Sequence, residues 1–226
     1  MKKIILCISA LFTITSVVHA ADSAGNRKDS IIMLGMSGGI HSVSILAAPA
    51  RVAIILGDLT VGIDAGSGSS SYYTTGKATT FLTTTSGTYT NQGLNARYFF
   101  GNSFNASLGY HMRNFSGTST AKSYSSSNWS YSYQTETYSL DAKTSVATIG
   151  IGNHWLMDWG LWIGGDWVLA SGALSSSSEA TSTNTSGTAT AAQSAQYKKD
   201  AEAIGTWIND ISASSGFAVL TVGFAF

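Results

Sequence analysis

The stretch from Gly216 to Phe226 constrains the fold most, because its apolar residues are spaced by twos. Side chains alternate across a β-strand, so this spacing predicts one strand with a large apolar face and a smaller mixed face. Its length matches the ~9–11 residues that cross a bilayer at a tilt. A strand that ends on an aromatic residue is typical of the closing strand of a membrane barrel. The apolar face consists of Ala218, Leu220, Val222, Phe224 and Phe226.

Residues 1–20 have the organisation of an export signal. Lys2 and Lys3 precede an apolar run from Ile4 to Val18, and small residues surround the predicted cut after Ala20. Cys7 lies inside this signal, so the mature chain is expected to contain no cysteine. Export without disulfides excludes a cystine-stapled secreted domain.

The composition also favours a membrane barrel. Removing Lys2 and Lys3 from the twelve basic residues leaves ten against twelve acidic residues, a net charge of −2 that does not suggest nucleic-acid binding. Charged residues make up 11% of the chain, against ~25% in typical soluble proteins. The chain contains 24 glycines and one proline, and its length suits one domain.

The alternation predicts about eight antiparallel strands in an all-β transmembrane barrel that spans residues 39–226. Residues 21–38 are expected to be a lead-in that is polar and flexible over residues 21–30, with the first strand near residues 39–47. A membrane helix over residues 31–50 is the alternative there, but it would contradict export. The remaining strands are predicted at residues 51–65, 70–82, 92–100, 103–115, 144–155, 160–172 and 216–226.

The predicted connections differ in length at the two ends of the barrel. Short turns at residues 66–69, 101–102 and 156–159 alternate with long polar connections at residues 83–91, 116–143 and 173–215. Outer-membrane barrels show this asymmetry, with short periplasmic turns and long outer loops. A soluble β-sandwich would also alternate but would rarely carry bulky aromatics outward at strand ends. The aromatic residues beside the short turns are Tyr98, Phe100, Phe104, Trp155 and Trp159.

With its export signal, the unit from Leu94 to Tyr110 and the terminal Val222 to Phe226, the chain resembles small Gram-negative outer-membrane β-barrel proteins, the eight-stranded OmpA- and OmpX-like group. The resemblance covers most of residues 51–226 and implies outer-membrane localisation among lipid and lipopolysaccharide. It also implies that the barrel-assembly machinery reads the C-terminal strand, with Phe224 and Phe226 as the assembly signal. The unclear first strand and the large insertion before the last strand depart from the pattern.

The face of the predicted strands opposite to lipid collects charged side chains. A lumen tolerates charge because water or an ion partner is available there. In an eight-stranded barrel, side chains nearly fill the interior, so we expect a plugging salt-bridge network. A narrow, porin-like channel for ions or small solutes is the alternative. The predicted lumen residues are Asp58, Asp64, Arg97, His111, Arg113 and Asp166.

The sequence offers little support for an enzyme. Ser107 and His111 lie four apart on one strand, about 13 Å, which is too far for a catalytic dyad. Barrels that modify lipid A are a family analogy without a matching constellation in this chain. The histidines are scattered, so neither a metal site nor another cofactor is expected.

The two longest connections carry features of their own. Tyr, Ser and Asn enrichment in residues 116–143 is the composition of adaptable binding loops, although a merely soluble cap would look the same. Residues 191–211 predict a short amphipathic helix, because Tyr197, Ala201, Ile204, Ile208 and Ile211 recur at helical spacing. This helix would cap the barrel mouth or lie on the outer leaflet. The candidate binding residues for an unidentified surface ligand are Tyr124, Trp129, Tyr131, Tyr133 and Tyr138.

The sequence thus predicts a non-enzymatic outer-membrane barrel with a structural or surface-binding role. A small pore is the main alternative, and a lipid A-modifying enzyme is the less favoured one.

Overall fold

The computed structural model describes residues 22–39, 50–75, 82–127, 130–186, 191–213 and 218–226. Within these residues, eight antiparallel strands close into a ring in chain order, which confirms the predicted all-β barrel architecture. The predicted export signal lies outside the described residues. The strands are β1 (Ile32–Gly39), β2 (Ala50–Leu56), β3 (Leu59–Thr75), β4 (Leu82–Phe99), β5 (Phe104–Ser127), β6 (Ser130–Leu156), β7 (Leu161–Ser186) and β8 (Ala218–Ala225). The helices are α1 (Ser23–Asp29) and α2 (Ala191–Ala213).

The ring closes through β1 and β8, which pair from Met33 opposite Ala225 to Gly39 opposite Val219. The first strand therefore precedes the predicted position at residues 39–47, and residues 40–49 lie outside the described part. Gly35 lies in β1 where a Cβ would be 2.7 Å from the carbonyl oxygen of Val222. A glycine at this position permits the close backbone approach at the seam, although glycine weakens the sequence pattern of a strand.

The segment predicted as one strand at residues 51–65 is a hairpin. Strands β2 and β3 meet at a turn of Gly57 and Asp58, and Gly57 has a φ of +65°, a conformation that glycine adopts without steric cost. The sequence does not reveal this turn, because the residues of β2 after Arg51 are apolar on both faces and run into the apolar start of β3. The predicted turn at residues 66–69 was correspondingly wrong, since these residues continue β3.

Strands β3 to β7 are much longer than β8, β1 and β2, and they continue beyond the ring. The connections predicted at residues 83–91 and 116–143 are largely strand, and β7 extends to Ser186. Pairing of β2 with β3 ends at Ala65, and pairing of β7 with β8 ends at Trp167. Among the described residues, the closed ring therefore continues into an open five-stranded sheet, which we call the extension.

Side chains on the outside of the closed ring are apolar and exposed, and we call this zone the apolar belt. It follows the predicted alternation most clearly on β5, from Phe104 to Met112. Above Met112, the outward residues become polar within one step, beginning with Asn114. The exposed belt residues are Ile32, Leu34, Met36, Val52, Ile54, Leu56, Leu59, Val61, Ile63, Leu94, Tyr98, Phe104, Leu108, Tyr110, Met112, Ile149, Leu220, Val222 and Phe224.

Two apolar clusters fill the inside. The lower cluster lies at the short-turn end and includes Phe99 and Trp162. The upper cluster lies within the extension, where Tyr197, Ala201 and Ile208 of α2 pack against inward residues of β4 to β7. Helix α2 thus lies against the inner side of the extension. Neither described helix combines the length and apolar composition needed to cross a membrane.

Candidate functional site

Between the two apolar clusters, buried polar side chains join different strands. Arg51 on β2 binds Asp64 on β3 in a two-pronged contact, with distances of 2.6 Å from Nε to Oδ1 and 3.0 Å from Nη2 to Oδ2. The amide of Asn95 on β4 donates to the same carboxylate at 2.9 Å. Charge-assisted, two-pronged pairs are the strong class of hydrogen bond, so this contact fixes three neighbouring strands relative to one another.

A second contact crosses the lumen. Arg97 on β4 donates through Nη2 to Oδ2 of Asp166 on β7, and through Nε to Oδ1 of Asn105 at 2.9 Å. In the ring, β5 and β6 separate β4 from β7, so the Arg97–Asp166 pair spans the interior. Both charged side chains are buried, which makes loss of either partner costly because the other charge would remain uncompensated.

His154 completes this second group, and its neighbours determine its tautomer. The indole N–H of Trp162 points at His154 Nδ1 at 2.9 Å, so Nδ1 acts as the acceptor. His154 Nε2 lies 3.0 Å from Asp166 Oδ1 and carries the proton that it donates. The imidazole is fully buried with both nitrogens engaged, so in this arrangement it serves as a connector and has no free nitrogen to act as a general base.

Of the predicted lumen residues, Asp64, Arg97 and Asp166 join this network. Asp58 does not, because it lies in the β2–β3 turn with its side chain 46% exposed. The prediction missed Arg51 and His154. Arg51 stands at the start of an apolar run without visible alternation, so the sequence gives no direction for its side chain. His154, by contrast, alternates on the same face of β6 as Gly150 and Gly152, and this pattern indicates that its side chain points inward.

His111 and Arg113 lie higher on β5 and have separate surroundings. His111 fits between two small residues: a Cβ on Gly109 would lie 2.7 Å from its Nε2, and one on Gly93 would overlap its Nδ1. These two glycines therefore create the space for the imidazole. Arg113 donates from Nη1 to the backbone oxygen of Ser212 in the last turn of α2, and from Nε to Asn91 at 3.3 Å.

The contacts around Arg113 attach the C-terminal end of α2 to the barrel wall. Thr144 on β6 donates to Asn209 Oδ1 at 2.6 Å, and the Asn209 amide donates to the Ser177 carbonyl on β7 at 2.8 Å. Ser171 donates to the Ala213 carbonyl at 2.6 Å. A cation at a helix C-terminus also interacts favourably with the helix dipole. Helix α2 consequently covers the upper end of the lumen.

Tyr138, predicted as an exposed binding residue, is instead buried beneath α2. Its inward side chain belongs to the upper cluster, and its hydroxyl donates to the Ser194 carbonyl at 3.0 Å. Burial raises the pKa of Tyr138 above its ordinary value, and the negative charge of the neighbouring Glu136 adds to this. Trp129 lies outside the described residues. Tyr124, Tyr131 and Tyr133 are strand residues of β5 and β6, for which only the backbone is described; Tyr124 pairs with Tyr133.

Helix α1 covers the opposite end, where the sequence suggested only a lead-in. Its buried Arg27 donates to the carbonyls of Gly101 and Asn102 at 2.7 and 2.6 Å, and pairs with Asp58 at 3.3 Å. Burial lowers the pKa of Arg27 from its ordinary value, against the raising effect of Asp58, and arginine still stays charged. The guanidinium also lies 3.9 Å above the Phe99 ring, a favourable cation–π distance.

Further contacts of α1 reach the third short turn. Ser23 accepts a hydrogen bond from the backbone N–H of Leu156 at 2.8 Å, and Asn26 donates to the Leu156 carbonyl at 2.8 Å and to Asp158 at 2.9 Å. Together with the Arg27 contacts, these bonds connect α1 to all three short turns, at residues 57–58, 100–103 and 157–160.

These groups link strands and helices to one another through buried ion pairs and hydrogen bonds. Ser107 and His111 lie four residues apart on β5, and this strand spacing keeps their side chains apart. Within the described residues, no cluster of three potential metal ligands occurs. No protein-family model matches the chain, and neither a curated protein nor a solved structure matches it.

Proposed function

We propose that this chain is a non-enzymatic outer-membrane barrel that crosses the bilayer through the apolar belt, has a lumen closed to solutes, and holds its extension outside the membrane. Its role would be structural and surface-binding. The observation that carries this proposal is the belt: large apolar side chains are exposed around the ring, whereas charges lie inside. A protein folded in water would show the reverse distribution.

The height of the belt supports insertion. Along β5 it runs from Phe104 to Met112, which is ~27 Å at ~3.4 Å per residue. A strand tilt of ~40° reduces this to a height of ~21 Å, close to the ~25 Å apolar band of outer-membrane barrels.

Exposed aromatic residues lie at the short-turn end of the belt, as an interfacial girdle requires. Phe100 lies 5.1 Å from Tyr98 and 6.1 Å from Phe104 between ring centres, and Trp159 lies 6.0 Å from Phe224. Trp155, also predicted here, is buried. By analogy with such barrels, the short turns would face the periplasm and the extension would face the cell exterior.

Closure of the lumen is supported by the contacts inside it. The Arg97–Asp166 pair crosses the interior, α1 lies over the lower end and α2 over the upper end. We therefore favour a plugged barrel over a narrow pore. Planar-bilayer recording distinguishes them: the plugged barrel gives no steady unit conductance, and a reproducible unitary current from the wild type would overturn closure.

Insertion is tested by heat-modifiable gel mobility after refolding into lipid vesicles. The wild type should migrate faster unheated than boiled. Leu108→Arg places a charge at mid-belt, which costs ~2–4 kcal/mol in a bilayer and should reduce the folded fraction. Asn114→Arg, outward on the same strand but above the belt, is the matched control and should fold normally. Equal folding of both variants, or a wild type that is folded and monodisperse without detergent, would contradict insertion.

A further inference from the structure

The outer side of the extension carries a dense array of exposed hydroxyl groups. On β4, the outward residues are Thr84, Ser86 and Thr88, and on β5 they are Ser116 and Thr118. The neighbouring inward residues Thr85, Tyr89, Phe115 and Ser119, by contrast, are buried. We call the outward set the hydroxyl face; its exposed Ser and Thr residues are Ser67, Ser69, Ser71, Thr84, Ser86, Thr88, Ser116, Thr118, Ser175, Ser177, Thr181 and Thr183, and the amide of Asn114 lies at its lower edge.

The strand register aligns these side chains in rows across the sheet. Ser86 lies opposite Thr118, which lies opposite Ser139, and Ser139 lies opposite Thr181. Neighbouring strands are ~4.8 Å apart and alternate residues along a strand ~7 Å apart, so donors and acceptors repeat in two dimensions. Such a surface can make many simultaneous hydrogen bonds with a ligand that is itself rich in hydroxyls.

The charge of this face selects among ligands. The outward charges whose side chains the structure describes are Lys143, Asp141 and Glu179, one cation and two carboxylates. Binding of phosphate groups requires clustered Arg or Lys, which this face does not offer among the described residues. The composition therefore favours a neutral, hydroxylated ligand over an anionic headgroup.

The position of the hydroxyl face indicates the source of that ligand. It begins directly above the apolar belt: Met112 ends the belt on β5, and Asn114 and Ser116 follow on the same side. Whatever lipid covers the belt must therefore place the polar part of its own molecule against the hydroxyl face.

We infer that the hydroxyl face binds the saccharide part of the glycolipid that surrounds the barrel in the outer leaflet. This inference rests on the proposed function, because it requires the extension to stand on the glycolipid side of the membrane. The saccharide would hydrogen-bond to the rows of Ser and Thr hydroxyls and thereby hold the open five-stranded sheet in place.

The test compares refolded protein in three bilayers: phospholipid alone, phospholipid with deep-rough lipopolysaccharide, which has lipid A phosphates but few sugars, and phospholipid with lipopolysaccharide of full saccharide length. Amide hydrogen exchange is measured on peptides covering residues 84–90 and 114–120. We expect several-fold slower exchange only with the full saccharide. In Thr88→Val/Ser116→Ala/Thr118→Val this protection should disappear.

Lys143→Gln is the matched control, since it removes the one cation among the described side chains of the face and keeps every hydroxyl; its saccharide-dependent protection should persist. Equal protection by deep-rough lipopolysaccharide, or loss of protection in Lys143→Gln alone, would overturn the inference in favour of phosphate binding. Heat-modifiable mobility in phospholipid alone separates the two proposals. If the wild type does not insert, the proposed function fails; if it inserts without saccharide-dependent protection, only the inference fails.

Discussion

Charged side chains in the lumen bind partners on other strands. Each pair therefore holds two strands of the ring together while its two charges neutralise each other. Arg51 reaches Asp64 and Arg97 reaches Asp166, while Trp162 and His154 orient the second carboxylate. The net free energy of such a buried pair is often small, because desolvation offsets the attraction. Removing only one partner is the costly change, because the other charge then stays buried without a counter-ion.

Replacing Arg97 alone should therefore destabilise the barrel more than replacing the pair. In Arg97→Met, the Asp166 carboxylate keeps only His154, and we expect a loss of ~3–5 kcal/mol in the free energy of unfolding. Urea unfolding in lipid vesicles, followed by tryptophan fluorescence, measures it. Arg97→Met/Asp166→Leu removes both charges and should recover most of the loss. A single variant no less stable than the double variant would contradict this account.

At the scale of elements, the two helices are held at the two ends of the barrel by different means. Helix α2 relies on apolar packing along Tyr197, Ala201 and Ile208, with hydrogen bonds at its C-terminal end. Helix α1 is short and relies on polar contacts, centred on one buried arginine. The two interfaces should therefore respond to different substitutions.

Ala201→Arg should detach α2 while leaving the ring intact. Ala201 is 3% exposed against the wall of the extension, and a large charged residue there costs at least the ~1–3 kcal/mol of overpacking. Since ~1.4 kcal/mol is a factor of ten in population, tryptic cleavage after Lys198 and Lys199 should accelerate by about fivefold or more. Ala203→Arg lies two residues away on the exposed side and should cleave at the wild-type rate. Identical cleavage of both variants would show that α2 is not held by this face.

Arg27→Lys should loosen α1 although it keeps the charge. Lysine cannot reproduce the forked donation to the carbonyls of Gly101 and Asn102 together with the contact to Asp58. We expect faster amide exchange across residues 24–29 and a loss of ~1–3 kcal/mol for the buried acceptors left unsatisfied. Lys28→Arg, exposed on the same helix, serves as the control and should exchange like the wild type. Unchanged exchange in Arg27→Lys would mean that charge alone holds α1.

At the scale of the whole molecule, the barrel consists of a closed ring and an open extension that share continuous strands. The ring carries the apolar belt and the salt-bridge network, whereas the extension carries α2 and the hydroxyl face. Because the paired register of β5 and β6 continues without a break from the ring to the end of the extension, the extension can be shortened at any cross-strand pair.

Shortening the tip should leave the barrel folded. Residues 122–135 can be replaced by Asn-Gly, which joins the cross-strand partners Ala121 and Glu136 by a two-residue hairpin turn. This variant removes Tyr124, Trp129, Tyr131 and Tyr133 but retains Tyr138 beneath α2. We expect normal heat-modifiable mobility and a change of less than ~1 kcal/mol in unfolding free energy, as for surface changes remote from a core. Failure to fold would show that the tip supports the ring.

The sequence predicts the ring far better than the extension. Within the belt, the outward face is apolar and the inward face is mostly polar, so the residues from Phe104 to Arg113 alternate strongly and their directions are predicted correctly. In the extension, the outward face is polar and the inward face mixes polar with apolar residues, so the period-two signal fades. Residues 83–91 and 116–143 consequently looked like loops.

The lumen network could be predicted only in part, because the sequence pattern shows where a side chain points and does not show which residue it contacts. Strand alternation gives the direction of Asp64, Arg97 and Asp166, but it does not give the distance between strands that are not neighbours. The partnership across the ring between β4 and β7 depends on closure, which is a property of all eight strands. Asp58 was misplaced because one undetected turn at Gly57 ends the strand just before it.

The contacts of α1 have a consequence for the order of events during assembly. This helix precedes every described strand in the chain, yet its hydrogen-bonding partners come from the turns after β2, β4 and β6. Those turns meet at one end only after three hairpins have formed and come together. The helix that precedes every described strand can therefore make its full set of contacts only late in assembly, and those contacts indicate that the hairpins are in place.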